Sequence, residues 1–117
     1  MQKSVSNNGV MASDMQACID ACANCHQVCL RTAMTHCLKM GGRHVEPEHF
    51  RLMNNCAEIC QASANLQLSG SVFSARLCGL CADVCAACAE SCRELDGMED
   101  CVIACERCAA SCHSMAA

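Results

Sequence analysis

Cysteine recurs every three or four residues along four stretches of the chain, in the positions that an amphipathic helix normally gives to leucine or isoleucine. Each residue of an α-helix advances by ~100°, so steps of three and four keep these side chains on one face. Charged residues such as Arg31, Glu90 and Arg107 fall on the opposite faces. The pattern therefore predicts four helices, each with one cysteine stripe. The stripes comprise Cys18, Cys22, Cys25 and Cys29; Cys56 and Cys60; Cys78, Cys81, Cys85, Cys88 and Cys92; and Cys101, Cys105, Cys108 and Cys112.

Turn and cap signals place the ends of these helices. Ser13 with Gln16 and Asp96 with Glu99 match capping boxes, which would open the first and fourth helices. Pro47 suits the first turn of the second helix. The breaks between helices fall at Gly41-Gly42, Ser69-Gly70 and Asp96-Gly97. Ser71, which follows the second break, can cap the third helix. The predicted helices span 14–40, 47–68, 72–95 and 98–115.

Such short connections force neighbouring helices to run antiparallel. The predicted fold is all-α, an up-down-up-down four-helix bundle whose cysteine stripes meet along its axis. We expect residues 1–12 to form a flexible N-terminal tail and residues 13–117 to form the bundle domain.

The composition shows that cysteine has to fill much of the core. The chain of 117 residues has sixteen cysteines and eight methionines but two Phe and no Trp or Tyr. A free cysteine can act as a small buried hydrophobe, which would explain two or three of them. It does not explain fifteen in register, so dense thiolate ligation of metal is the preferred interpretation. Only Cys37 departs from the stripes, at about 80° from Cys29, and we count it among the ligands.

The spacing favours a soft monovalent ion. A structural zinc site needs four ligands that converge tetrahedrally, usually from cysteine pairs on turns, whereas these pairs lie on continuous helices. Two thiolates one helical turn apart can bind a single ion between them, and Cu(I) is the biological ion that accepts two or three thiolates. Iron–sulfur clusters fit less well, because the run C-x2-C-x2-C-x3-C-P is absent.

Charge balance predicts the capacity. Unpaired thiolates in a dry core are prohibitively costly. Sixteen thiolates are neutralised by sixteen monovalent ions, which bridging thiolates would allow, so we expect multiple ions at near one Cu(I) per cysteine. Without metal the thiols should be neutral, because burial disfavours the thiolate.

One end of the predicted bundle gathers histidine and methionine, and the other gathers polar residues. Imidazoles and thioethers bind Cu(I) more weakly than thiolates do, so the first end is the predicted route for copper uptake and release. Ser63 and Gln67 continue the second helix at the opposite end, which polar packing should close. His26, His44 and His113 are predicted to be surface residues. The histidine and methionine end is formed by His36, Met40, His49, Met53 and Met98.

Charge and hydropathy limit which kinds of partner and which cellular compartment we expect for this protein. The net charge is −4 with no basic stripe, which argues against nucleic acid. No apolar run approaches the roughly 20 residues of a membrane span. The first 14 residues lack the apolar stretch of a secretory signal, so we expect a cytoplasmic protein, where cysteines are more often metal ligands than disulfides.

The repeated C-x3-C-x2-C spacing over residues 14–115 resembles that of the bacterial copper storage proteins, the cysteine-rich four-helix-bundle family, in their cytosolic form. The resemblance implies inward-pointing cysteines that bind many Cu(I) ions, an open end with His and Met, and homotetramers. The second helix departs from the family pattern, having only Cys56 and Cys60 before Ser63 and Gln67. This departure implies that less copper is bound at the end of the bundle that carries Ser63 and Gln67. The resemblance does not identify copper donor or acceptor proteins.

Three alternatives remain. A disulfide-stapled or thiol-redox structural protein is disfavoured by the poor disulfide geometry of helical i,i+4 pairs. An enzyme is disfavoured because no cysteine is singled out and no phosphate loop or H-E-x-x-H motif is present. General sequestration of soft metals such as zinc, cadmium or silver stays open.

Overall fold

Four long helices account for most of the chain in a computed structural model that describes residues 12–116. The first helix, α1, spans Ala12–Thr32 and continues through a π-helical turn, Ala33–Cys37, into a last turn, Leu38–Met40. A 3-10 helix, Gly42–Val45, then connects it to the second helix. The others are α2, Pro47–Leu68; α3, Ser74–Arg93; and α4, Glu99–Met115. The four predicted helices are confirmed, and no strand occurs between residues 12 and 116. The predicted tail lies outside the described residues, except for Ala12.

The helices form a four-sided bundle. Helix α1 packs against α2 and α4, and α3 packs against the same two helices, as the up-down-up-down topology requires. All sixteen cysteines are buried on the inner faces, together with alanines and the thioethers of Met53 and Met98. The bundle with a cysteine-lined core is therefore confirmed. Within residues 12–116, no helix is long and apolar enough to cross a membrane.

The π-helical turn corrects the predicted register of α1. A π-helical turn closes i→i+5 rather than i→i+4 hydrogen bonds and so holds one extra residue. That extra residue cancels the predicted departure of Cys37, which is fully buried in the core. The same shift makes the predicted inward position of Met40 wrong, since its side chain is 52% exposed.

The helix starts differ from two of the predicted caps. Ser13 lies within α1 and so does not occupy the cap position. At α4 the cap position belongs to Met98 without a side-chain cap, so the box of Asp96 with Glu99 is wrong. Pro47 does begin α2 as predicted. At α3, the Ser71 hydroxyl accepts a hydrogen bond from the Phe73 amide at 3.1 Å.

Replacing Gly97 is expected to destabilise the metal-free bundle more than replacing Gly70. Both glycines have positive φ, 75° and 68°, which costs an alanine about 1–2 kcal/mol. A Cβ at Gly97 would also lie 2.7 Å from the His36 ring, whereas one at Gly70 meets nothing within 4 Å. The His36 ring would have to move and give up its hydrogen bond to the Asp96 carbonyl, so Gly97→Ala should lose about 0.5–1.5 kcal/mol more than Gly70→Ala in urea unfolding of the reduced protein. Equal losses would contradict a close contact between Gly97 and His36.

Candidate metal centre

The sixteen cysteines form a continuous column of sulfur along the bundle axis. All are free thiols, and each side chain is at most 1% exposed. In thirteen of them the Sγ atom lies 3.4–4.0 Å from another Sγ atom, well beyond the ~2.05 Å of a disulfide bond. The column therefore offers many sulfur ligands at separations that a shared metal ion can span.

Twelve of these cysteines belong to compact groups whose Sγ atoms all lie within 4.8 Å of one another. Each group combines residues from two or more helices, and neighbouring groups share members such as Cys25, Cys60 and Cys112. A thiolate that belongs to two groups can bridge two ions. The column is thus a series of overlapping sites and not a set of separate zinc-like centres. The groups are Cys18, Cys78 and Cys112; Cys22, Cys81, Cys108 and Cys112; Cys60, Cys81, Cys85 and Cys108; Cys25, Cys56, Cys60 and Cys85; and Cys25, Cys29, Cys56 and Cys105.

The remaining four cysteines, Cys37, Cys88, Cys92 and Cys101, lie towards the His/Met end of the bundle, where thioethers join them. The Met53 Sδ atom lies 3.4 Å from the Sγ of Cys92 and 3.6 Å from that of Cys88. The Met98 Sδ atom lies 4.0 Å from the Sγ of Cys37. The structure therefore brings two of the predicted methionines against thiols.

The predicted histidines at this end have different surroundings. The His49 imidazole is 6% exposed, and its Nδ1 atom lies 2.7 Å from the Ser91 hydroxyl. The His36 and His44 rings contact each other edge to face, with 5.2 Å between centroids. Both Nε2 atoms lie within hydrogen-bonding distance of the Asp96 carbonyl, at 3.1 and 2.9 Å. The structure does not bring the exposed Met40 to this group.

The surface prediction for His44 is wrong, since only 7% of this residue is exposed. It lies in the 3-10 helix of a connection, where no helical period could indicate its direction. His113 is exposed as predicted, whereas His26 is half-buried, with Nδ1 2.7 Å from the Ala57 carbonyl.

Polar side chains close the opposite end of the column, as predicted. Ser63 and Gln67 are 1% and 3% exposed. The Gln67 amide donates to the Cys18 Sγ at 3.5 Å, and the Ser63 hydroxyl lies 3.6 Å from the Sγ atoms of Cys22 and Cys78. We name this the closed end.

Burial and hydrogen bonds between thiols set the acidity of the column. In the centre of the column, hydrogen bonds between thiols affect the pKa values more than burial does. A hydrogen bond with Cys108 raises the pKa of Cys60, and one with Cys105 lowers the pKa of Cys25 to about 7. Burial raises the pKa of Cys37 to about 11. Such a thiol keeps its proton at neutral pH unless a metal ion replaces it.

The thiols at the His/Met end are also weak acids. A hydrogen bond with Cys101, together with burial, raises the pKa of Cys92 to about 12. A hydrogen bond with Cys29, together with burial, raises the pKa of Cys101 to the same value. Burial lowers the pKa of His49, so its imidazole is neutral and able to bind a metal at pH 7.

Known proteins share both the sequence and this architecture. The family described as "Copper storage protein" matches residues 11–117. The uncharacterized cysteine-rich protein YhjQ of Bacillus subtilis (strain 168) is 38% identical over 104 residues, which cover 87% of this chain and 95% of that protein.

Two solved structures are similar. The Nmul_A1745 protein of Nitrosospira multiformis is 60% identical, with a TM-score of 0.88 over 89% of this chain and 95% of its own. The Cu(I)-bound copper storage protein BsCsp3 is 37% identical, with a TM-score of 0.81 over 89% of this chain and 99% of its own. A column of overlapping thiol groups in the fold of a Cu(I)-bound relative identifies Cu(I) as the cargo of the core. The chain belongs to the copper storage protein family.

Proposed function

We propose that this chain stores Cu(I) at near one ion per cysteine, with all sixteen thiols as ligands. The observation that carries the proposal is the overlap between groups, because shared thiolates let adjacent ions use the same sulfur. Each bound ion replaces the proton of one thiol, which keeps the core neutral at every stage of filling. The chemistry is storage by ligand exchange and needs no catalytic residue.

A Cu(I) titration is expected to saturate near sixteen equivalents and to release about one proton per ion at pH 7. Near-ultraviolet absorption from copper–thiolate charge transfer, followed anaerobically with a pH indicator, measures both quantities. A parallel titration with Zn(II) is the control, since divalent ions neutralise the same thiolates at half that number. Saturation at one or two equivalents of Cu(I) would refute storage and favour a dedicated site.

The ligands at the His/Met end serve uptake and release in this proposal. His49, Met53 and Met98 are buried there, and thioether or imidazole ligands exchange faster than thiolates. His36 contributes less directly, because its Nε2 atom is engaged with the Asp96 carbonyl. Met40 would have to turn inward from its exposed position to take part.

In this proposal the protein is cytoplasmic and forms a homotetramer, because it resembles the cytosolic members of the family. All sixteen cysteines are free thiols, as expected of a protein in a reducing compartment. Exposed apolar side chains at Leu30, Met34 and Leu38 lie four residues apart along the first helical segment and support contacts between copies. The partners are copper ions and unidentified donor or acceptor proteins, without nucleic acid or membrane.

A further inference from the structure

A cleft of about 700 Å³ opens on the side of the bundle between the start of α2 and the end of α3. We call it the α2–α3 cleft. Its lining carries four carboxylates and two guanidinium groups, and Glu94 is paired with Arg43 and Glu90 with Arg93, so the opening has a small negative excess that favours cations. The charged residues are Glu46, Glu48, Glu90 and Glu94, with Arg43 and Arg51.

His49 lines this cleft with an unused ring nitrogen. Its Nδ1 atom is bonded to Ser91, which also lines the cleft, whereas the buried Nε2 atom has no hydrogen-bond partner in the described part of the chain. Buried polar atoms are nearly always satisfied, so an unsatisfied one calls for an explanation. When Nδ1 donates to the Ser91 hydroxyl, Nε2 presents a lone pair, which is the arrangement that orients metal-binding histidines.

Softer ligands follow directly behind His49. Met53 lies one helical turn further along the same face of α2 and is fully buried. Its Sδ atom contacts the thiols of Cys88 and Cys92, which begin the cysteine column. From the cleft inward, the ligands therefore run from imidazole to thioether to thiol, in order of increasing affinity for Cu(I).

The other routes by which Cu(I) could reach the His/Met end of the column are less suitable. Along the axis, His36 and His44 cover the end by their shared bonds to the Asp96 carbonyl, and Met98 is 1% exposed. A second cleft, of about 470 Å³ between α3 and α4, also reaches Cys92 and Met98. Its lining combines the apolar Leu95, Val102 and Ile103 with Glu99 and the ion pair of Arg93 and Glu106. No imidazole is among its lining residues, so it lacks the nitrogen ligand of the first cleft.

We propose that Cu(I) enters and leaves the core sideways through the α2–α3 cleft, by way of His49 Nε2 and then Met53 Sδ to Cys92 and Cys88. This inference rests on the proposed storage function. The ion stays Cu(I) throughout, and one coordination bond forms as the previous one breaks. The thiol releases its proton to water when its sulfur binds the ion.

Two variants test the route by the rate of Cu(I) transfer from a chromogenic chelator. His49→Leu removes the nitrogen, and Ala87→Trp places an indole over the cleft from an exposed position. Each should slow uptake about tenfold or more without lowering the final capacity. Ile103→Trp, which covers the α3–α4 cleft instead, and His113→Leu are the matched controls and should load at the parent rate. Far-ultraviolet circular dichroism confirms that every variant is folded.

The outcomes separate the route from the storage function. Parent rates for both His49→Leu and Ala87→Trp would overturn the side route, as would slowing by Ile103→Trp alone. A failure of the storage function would be seen in a different experiment, the equilibrium titration of the unaltered chain, which would then saturate at one or two equivalents of Cu(I). Full capacity with unchanged kinetics therefore rejects this inference and leaves the storage function standing.

Discussion

Loading the core with Cu(I) is expected to raise the midpoint of thermal unfolding by more than about 30 °C. The ligands converge only in the folded bundle, so the binding free energy adds to the free energy of unfolding. A single site with free ligand at 1,000 times its Kd adds about 4 kcal/mol, and a whole domain has only about 5–15 kcal/mol. The overlapping thiol groups supply several such sites. Circular dichroism during heating, at successive copper loadings, measures the shift.

Cysteine variants give this prediction a matched control. Cys60 belongs to two of the four-thiol groups, whereas Cys37 belongs to none of the compact groups. Cys60→Ser should therefore reduce the copper-induced shift more than Cys37→Ser, although both cysteines are fully buried. Excess Cu(I) chelator should return the midpoint to its metal-free value. A loaded protein that melts with the metal-free protein would contradict copper binding in the core.

The cysteine column was predictable because the direction of a side chain within one helix depends only on local spacing. Steps of three and four, such as Cys18 to Cys22 to Cys25, place sulfur on one face whatever the rest of the chain does. The same reasoning predicted the inward faces of Ser63 and Gln67 at the closed end. The grouping of Cys60 with Cys108 was not predictable, because it depends on how far one helix slides along another.

The His/Met end was predicted less well for two physical reasons. The π-helical turn at Ala33–Cys37 changes the register of every residue after it, and nothing in the spacing indicates it except the departure of Cys37 itself. His44 lies in a connection, where helical periodicity gives no direction. Its burial depends on the Asp96 carbonyl, which comes from a different connection more than fifty residues later.

Raising the pH is expected to unfold the metal-free protein by about pH 11–12 and to leave the copper-loaded protein folded. An unfolded cysteine loses its proton near its ordinary pKa of 9.0, whereas Cys37 in the fold has a pKa of about 11. Cys92 and Cys101 have pKa values of about 12. Above pH 9 the folded state binds more protons than the unfolded state, so stability falls as the pH rises. Three such thiols remove roughly 4 kcal/mol for each pH unit, against a domain stability of about 5–15 kcal/mol.

The two forms differ because copper has already replaced the thiol protons. With no proton left to lose, the loaded core has no such dependence between pH 9 and 12. Circular dichroism across this range, on reduced protein with and without copper, makes the comparison. Cys37→Ala should lower the slope for the metal-free protein, since it removes one thiol whose pKa is raised in the fold. Equal alkaline midpoints for the two forms would mean that the thiols are not the groups whose protons maintain the metal-free bundle.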